Sequence, residues 1–196
     1  MNCKVLIELV ERVKECYDIA LPTITLYLME KCIGRVNVAK KLRVSERTAR
    51  KTISRLIEKR ILVKSYDTCI DPSIASSIGE ISSIELSSNR FLTILYVEDD
   101  ILELVDKYTV ALRDYVLIMV KDPRALEIIG YYDGHEIVMP GVPSEYRSQY
   151  MKLLENISWR NKSVFIIWRK YRDYFSEASL LYGLYRVCLE RIDRDK

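Results

Sequence analysis

One histidine and one glutamine are all that this 196-residue chain contains of two residue types that polar active sites draw on. The histidine, His135, lies in "YYDGHE" with no Ser or Cys nucleophile assigned to it by spacing, so it reads as a turn residue rather than a general base. Five cysteines (Cys3, Cys16, Cys32, Cys69, Cys188) include no CxxC pair, and a lone histidine cannot complement them, which argues against a zinc site. Their scatter reads as buried free thiols, although intracellular disulfides do occur in hyperthermophiles. No GxGxxG or P-loop spacing is present, so no nucleotide or other cofactor is expected. The longest uninterrupted apolar run, "YVLIMV" at 115–120, falls far short of the roughly 20 residues of a spanning helix. "MNCKVLIELVERVKECYDI" is broken by Lys4, Glu8, Glu11 and Arg12 and lacks the apolar centre of a secretory signal, so no membrane association and a cytoplasmic location are expected.

What is present is a 49% hydrophobic, 30% charged composition suited to a globular chain with its own core. Scarce Gln and Asn beside abundant Ile, Tyr, Glu, Lys and Arg lean toward a hot-living source. The net charge of +3 conceals an asymmetry: residues 1–70 hold fifteen Lys/Arg against eight Asp/Glu, while residues 71–196 hold sixteen against twenty. Within 35–64 there are eleven cations and only Glu46 and Glu58 as anions. Solvated helix faces normally mix signs and form i,i+4 pairs, so this imbalance points to a polyanionic partner.

Apolar periodicity predicts a helix over 3–17 and a break at Leu21-Pro22-Thr23. A second helix follows at 23–33, with Gly34 as its left-handed cap. A short third helix lies in "VNVAKKLRV", capped by Asn37, with Val38, Ala39 and Leu42 inward. In "SERTARKTISRLIEKRIL", Ser45 caps a fourth helix. Ala49, Ile53, Leu56 and Ile57 form its inner stripe, and Arg47, Arg50, Lys51, Ser54 and Arg55 its outer face. "ILVKSYDTCI" and "EISSIEL" then read as the strands of a hairpin around a "DPSIASSIG" tip. "SSN" at 87–89 serves as a linker, dividing the chain into 1–87 and 90–196. The second part alternates: strand 91–97, helix 99–113, strand 115–120, strands in "ALEIIGYY" and "EIVMP" joined by an Asp-Gly turn, helix 144–157, strand "SVFIIW", and a last helix at 173–192. A single helix over 108–121 remains open, because periodicity does not arbitrate within a short apolar block. The fold class expected is α+β or α/β, an N-terminal helical unit followed by a small α/β sandwich.

"VAKKLRVSERTARKTISRLIEKRILVKS" resembles the winged helix-turn-helix transcriptional regulators: Ala39 in the supporting helix, Val44 at the turn, then Ser45, Arg47-Thr48, Ala49, Arg50-Lys51 and Arg55-Leu56. The resemblance covers residues 20 to about 86 and implies a DNA-binding domain, set at 1–87 with its extra N-terminal helix, and a sequence-specific regulator, not an enzyme. Arg43 and Arg60 stand where such proteins often carry Gly, so both turns must manage without its tolerance of positive φ. In the major groove the first turns of a recognition helix reach base edges, making Arg47, Arg50 and Lys51 candidates for readout. Ser45, Lys40, Lys41, Arg55 and Lys64 are candidates for phosphate contact. Double-stranded DNA is thus the expected partner.

The second part is less explicit. "ILYVEDD" and "EIVMPG" resemble strands of response-regulator receiver domains, but the acceptor position would be Glu136 and a hydroxyl position falls near Ile167 or Trp168. An enzyme or receiver-like signalling module fused to a nucleic-acid anchor is the alternative function. "LRD" and "YYDGHEIVMPGVP" resemble uncharacterised archaeal proteins that carry a winged helix ahead of a C-terminal domain of unknown function. Ala178, Leu181, Tyr185, Cys188 and Ile192 form a heptad seam. Packing against the sheet is its simpler explanation; with residues 3–17 it is also the candidate homodimer interface of a protein whose second part dimerises or senses a small-molecule effector.

Overall fold

The computed structural model of the chain describes residues 1–87 and 89–194, so Ser88 of the "SSN" linker lies outside the described residues. The first helix, α1, covers Cys3–Glu11, and a 3-10 turn over Lys14–Cys16 leads into α2, Tyr17–Glu30. The expected break at Pro22 is absent: Pro22 sits inside α2, among residues Ala20–Tyr27 that are all buried. An interior proline costs a helix about 3 kcal/mol, a penalty that burial on all sides outweighs. Thr23 and Thr25 hydroxyls donate to the carbonyls of Ile19 (2.7 Å) and Leu21 (2.9 Å), in the turn that the proline disturbs. Lys31, at φ 65°, ends the helix; Gly34 has φ −76° and instead precedes α3, Arg35–Leu42, leaving Asn37 in that helix's interior.

Helix α4 spans Glu46–Glu58. It leads into a two-stranded antiparallel ribbon, β1 (Leu62–Lys64) with β2 (Thr68–Ile70), so both strands come from "ILVKSYDTCI". The "DPSIASSIG" tip is instead a helix, α5 (Pro72–Ile78). Asp71 caps it by accepting from the Ser73 N–H at 2.9 Å, with proline at the first helical position. "EISSIEL" belongs elsewhere too. As β3 (Ile81–Ser87) it pairs with β4 (Arg90–Tyr96), so the division at 87–90 runs through a hairpin.

The remaining elements are α6 (Asp99–Val120), β5 (Leu126–Tyr132), β6 (Ile137–Val138), α7 (Ser144–Leu154), β7 (Ser163–Trp168) and α8 (Phe175–Arg194). "YVLIMV" is the end of α6 rather than a strand; the helix kinks at Tyr108 (φ −124°) and continues, its Leu112 and Val116 buried against α8. Five strands form one sheet in the order β3-β4-β7-β5-β6, every pair antiparallel. The architecture is therefore mixed α+β with two antiparallel sheets, in keeping with the fold class expected.

Strand β7 lies mid-sheet and is buried throughout, which is why it reads as a continuous apolar run. Its alternation divides the core. Val164, Ile166 and Trp168 join a large cluster with residues of α1, α2, α6 and α8, while Phe165 and Ile167 join Leu154, Tyr150 and Trp159 on the α7 side. The heptad seam of α8 is spent inside the chain: Ala178, Leu181, Tyr185 and Cys188 are buried, and only Ile192 of that set is exposed. Nor are the cysteines free thiols, Cys16 excepted. Cys3 is bonded to Cys188 and Cys32 to Cys69, joining α1 to α8 and the end of α2 to β2. Among the described residues, no helix is long and apolar enough to cross a membrane.

Candidate nucleic-acid interface

Helices α3 and α4 present the cationic segment. Each ends in the same motif, with the residue after the left-handed position donating back to the helix. Arg43 (φ 55°) follows α3 and Val44 N–H donates to the Ala39 carbonyl at 3.0 Å; Arg60 (φ 56°) follows α4 and Ile61 N–H donates to Leu56 at 2.9 Å. These are the two turns expected to lack Gly, and arginine occupies the left-handed region in both. That conformation costs an L-residue roughly 1–2 kcal/mol; the paired carbonyls and the buried Leu42, Leu56 and Ile61 on either side over-determine it.

Ser45 caps α4, its hydroxyl accepting from the Thr48 N–H at 3.0 Å and meeting Thr48 Oγ1 at 2.8 Å. Ala49, Thr52, Ile53 and Leu56 are buried, and Ile57 is half-buried. On the opposite side Arg47, Arg50, Lys51, Ser54 and Arg55 are all exposed, as are Lys40 and Lys64. Among the described residues, the ion pairs include none of these arginines and lysines. Glu46 and Glu58 leave the face unneutralised, and the amino end of α4 adds partial positive charge beside Arg47.

Lys41 stands apart. It pairs with Glu30 at 2.7 Å, where both side chains are a little over one-third exposed, and the Tyr174 hydroxyl donates to the same carboxylate at 3.0 Å. The hydrogen bond to Glu30 raises the Lys41 pKa, and the same bond lowers that of Glu30. Lys41 thus braces α3 against the approach to α8.

Two residues that sequence reasoning did not single out complete the surface. Arg35 opens α3 and lines a groove of about 260 Å³ between α4 and the ribbon, together with Arg50, Ser54, Lys64 and Asp67. Tyr66, at the ribbon tip in "SYD", borders the groove and is fully exposed at 102%. The run of cations already contained Arg35, but only the ribbon's true extent places it beside Arg50. The surface so formed is a helix with a ribbon at its side, dense in unpaired cations, and able to lie along a polyanion.

The carboxylates of the receiver-like reading are engaged separately. Asp99 pairs with Lys162 at 2.5 Å, and Asp100 Oδ2 accepts from the Cys3 N–H at 2.9 Å. Glu136 is exposed in the β5–β6 turn, where Asp133 Oδ1 accepts from the N–H groups of His135 (2.7 Å) and Glu136 (2.8 Å). No group of metal-ligating side chains that could hold an ion occurs among the described residues. The buried Glu127 is likewise committed to structure: Arg90 Nε donates to it at 3.0 Å, the Tyr150 hydroxyl at 3.0 Å, and Arg169 pairs at 3.4 Å. Burial pushes its pKa up, but the hydrogen bonds from Arg90 and Tyr150 outweigh that effect and hold the carboxyl below its ordinary range.

No protein-family profile and no curated protein matches the chain. Among solved structures it is similar to a hypothetical protein, PH0730, from Pyrococcus horikoshii OT3, with a TM-score of 0.56 at 16% identity, over 90% of this chain and 94% of that one. At that identity the likeness is one of fold alone.

Proposed function

We propose that this chain is a DNA-binding transcriptional regulator whose α3–α4 pair and β1–β2 ribbon act as a winged helix-turn-helix. The observation that carries the reading is the outward face of α4, where Arg47, Arg50, Lys51 and Arg55 are exposed over a buried stripe and, among the described residues, none of them is in an ion pair. Arg47, Arg50 and Lys51 read base edges in the major groove. Arg55, Lys40, Arg35 and Lys64 hold the flanking phosphates, and Ser45 sets the helix start from which they project. Two copies on a palindromic site fit this mode of binding. The buried α8 seam leaves the dimer contact to other surfaces, and small-molecule control is part of the same proposal. A cytoplasmic setting accommodates two disulfides best in a hot-living, archaeal source.

The test is selection of genomic fragments on the full chain, followed by fluorescence anisotropy with the selected duplex across a salt series. Affinity should fall steeply with salt as counterions are released. Arg50→Ala should cost about 1–3 kcal/mol on the selected site and relax specificity at one base pair. Unchanged affinity in both Arg50→Ala and Lys51→Ala would remove the readout assignment, and absence of duplex binding at low ionic strength would remove the regulator reading.

A further inference from the structure

The ribbon has two sides. Lys64 and the turn residue Tyr66 border the groove shared with α4, while Val63 and the turn residue Ser65 border a second, larger cavity of about 770 Å³ behind the ribbon. That cavity lies between the last turn of α2, the ribbon and α5, and its walls are mainly aliphatic: Leu28, Met29, Val63, Ile70, Ala75 and Ile81. Leu28, Met29 and Ala75 are only half-buried and Val63 is 37% exposed, so the walls present unfilled apolar surface inside a concavity. The Cys32–Cys69 bond forms part of the lining, and charge is confined to Lys31 and Glu80.

We infer that this cavity is a binding site for an uncharged, predominantly apolar small molecule, and that its occupancy sets the position of the ribbon. Its volume falls within the 300–1,000 Å³ range of small-ligand clefts, and the last turn of α2, the ribbon and α5 line it on three sides. One cation and one anion at the edge give no net preference for a charged ligand. Met29 supplies a wall that adapts to shape. The coupling follows from the ribbon's economy. Two three-residue strands have little stability alone; the buried Leu62 and Ile70 and the Cys32–Cys69 bond fix one end, and the placement of the Val63–Tyr66 end depends on what packs against each side. A molecule touching Val63 and Ser65 contacts the residues immediately before and after Lys64.

The regulatory half of this inference rests on the DNA-binding reading; the site itself does not. N-phenyl-1-naphthylamine, an uncharged apolar fluorophore, is titrated into the full chain without DNA. Saturable emission at one dye per chain is expected, weakened at least tenfold by Ala75→Trp, which fills the cavity, and by Val63→Glu, which charges its opposite wall. Circular dichroism confirms the fold of each variant. Absence of saturable binding, or equal binding in both folded variants, overturns the site. With a selected duplex present, saturating dye should change DNA affinity at least threefold; dye bound with unaltered affinity overturns the coupling. Failure of the duplex to bind under any condition defeats the regulator reading and its coupling, while the dye titration still decides the site.

Discussion

Removing the Cys3–Cys188 bond by a double alanine substitution should cost this fold about 5 kcal/mol. The two residues are 185 positions apart, so the cross-link closes nearly the whole chain into one loop. Loop-closure entropy grows with the logarithm of length, which puts such a loop at about 5 kcal/mol and the 37-residue separation of Cys32 and Cys69 at about 4 kcal/mol. The nested Cys32–Cys69 bond shortens the effective outer loop by about a fifth, but the logarithm reduces this to about 0.2 kcal/mol. Alanine suits the test because Cys188 is 1% exposed, and serine would leave a hydroxyl in an apolar site. At an unfolding entropy of about 2.1 cal/mol/K per residue, the loss corresponds to a melting temperature lower by about 12 °C. Calorimetry under oxidising conditions measures it. Thiol titration supplies the companion count: one reactive thiol, Cys16, in the denatured oxidised protein, and five after reduction. A double variant melting within 2 °C of the parent would refute the argument that this bond acts through the unfolded chain.

Three further outcomes are expected. Gly183→Ala places a Cβ 2.7 Å from Val116 Cγ2 and 2.8 Å from Leu112 Cδ1, where α8 packs on α6. Overpacking should cost about 1–3 kcal/mol against a helix-propensity gain of roughly 0.5–1 kcal/mol, and a denaturant midpoint at or above the parent's would contradict that contact. Glu177 is wholly buried, accepts from Ser83 at 2.5 Å and from Tyr171, and has a pKa raised by burial. The folded state therefore holds its proton longer than the unfolded one, so this stabilisation is complete below about pH 4 and drains away as pH rises through the folded value. Melting curves from pH 4 to 8 should fall less steeply for Glu177→Gln than for the parent, and parallel curves would place the charge elsewhere. Finally, Lys40→Ala should lower the salt slope of duplex binding by about one unit while Lys41→Ala leaves it nearly unchanged, because Glu30 already occupies the Lys41 ammonium. Equal slopes would mean that this pair opens on binding.

The cationic face of α4 was legible because its signal is local and two-sided: a serine cap, a stripe at helical spacing and an opposite face of one sign. Arg43 and Arg60 were legible only as turn residues standing where Gly is common; that both adopt positive φ is shown by the structure. What was lost depends on distant partners. A proline reads as a break until the helix around it is buried on every side, as Ala20–Tyr27 are. "YVLIMV" suits a strand or a helix equally, and packing against α8 decided for the helix. "EISSIEL" has the alternation of a ribbon strand, but nothing in it tells which neighbour it will meet. Cysteine pairing is equally non-local; residues 3 and 188 meet only because α1 and α8 lie side by side. Both missed members of the cationic surface, Arg35 and Tyr66, share that cause, since a ribbon drawn too long puts its tip in the wrong place.

The same long-range contacts bear on how a signal would travel. Helices α1 and α2 pack along α8, the Cys3–Cys188 bond ties the first to it, and Lys41, Glu30 and Tyr174 lock α3 to the segment before it. With α3 and α4 packed together, the cationic face is held to the five-stranded sheet by several independent connections. A hinge between an N-terminal and a C-terminal half is therefore a poor place to seek regulation. The ribbon is different: only one residue of each strand, Leu62 and Ile70, is buried in the core, and the rest is held by one disulfide, a few hydrogen bonds and whatever fills the cavity behind it. If affinity for a polyanion is controlled in this protein, a short element that borders both the cationic groove and an apolar cavity is where a small input of binding energy has most effect.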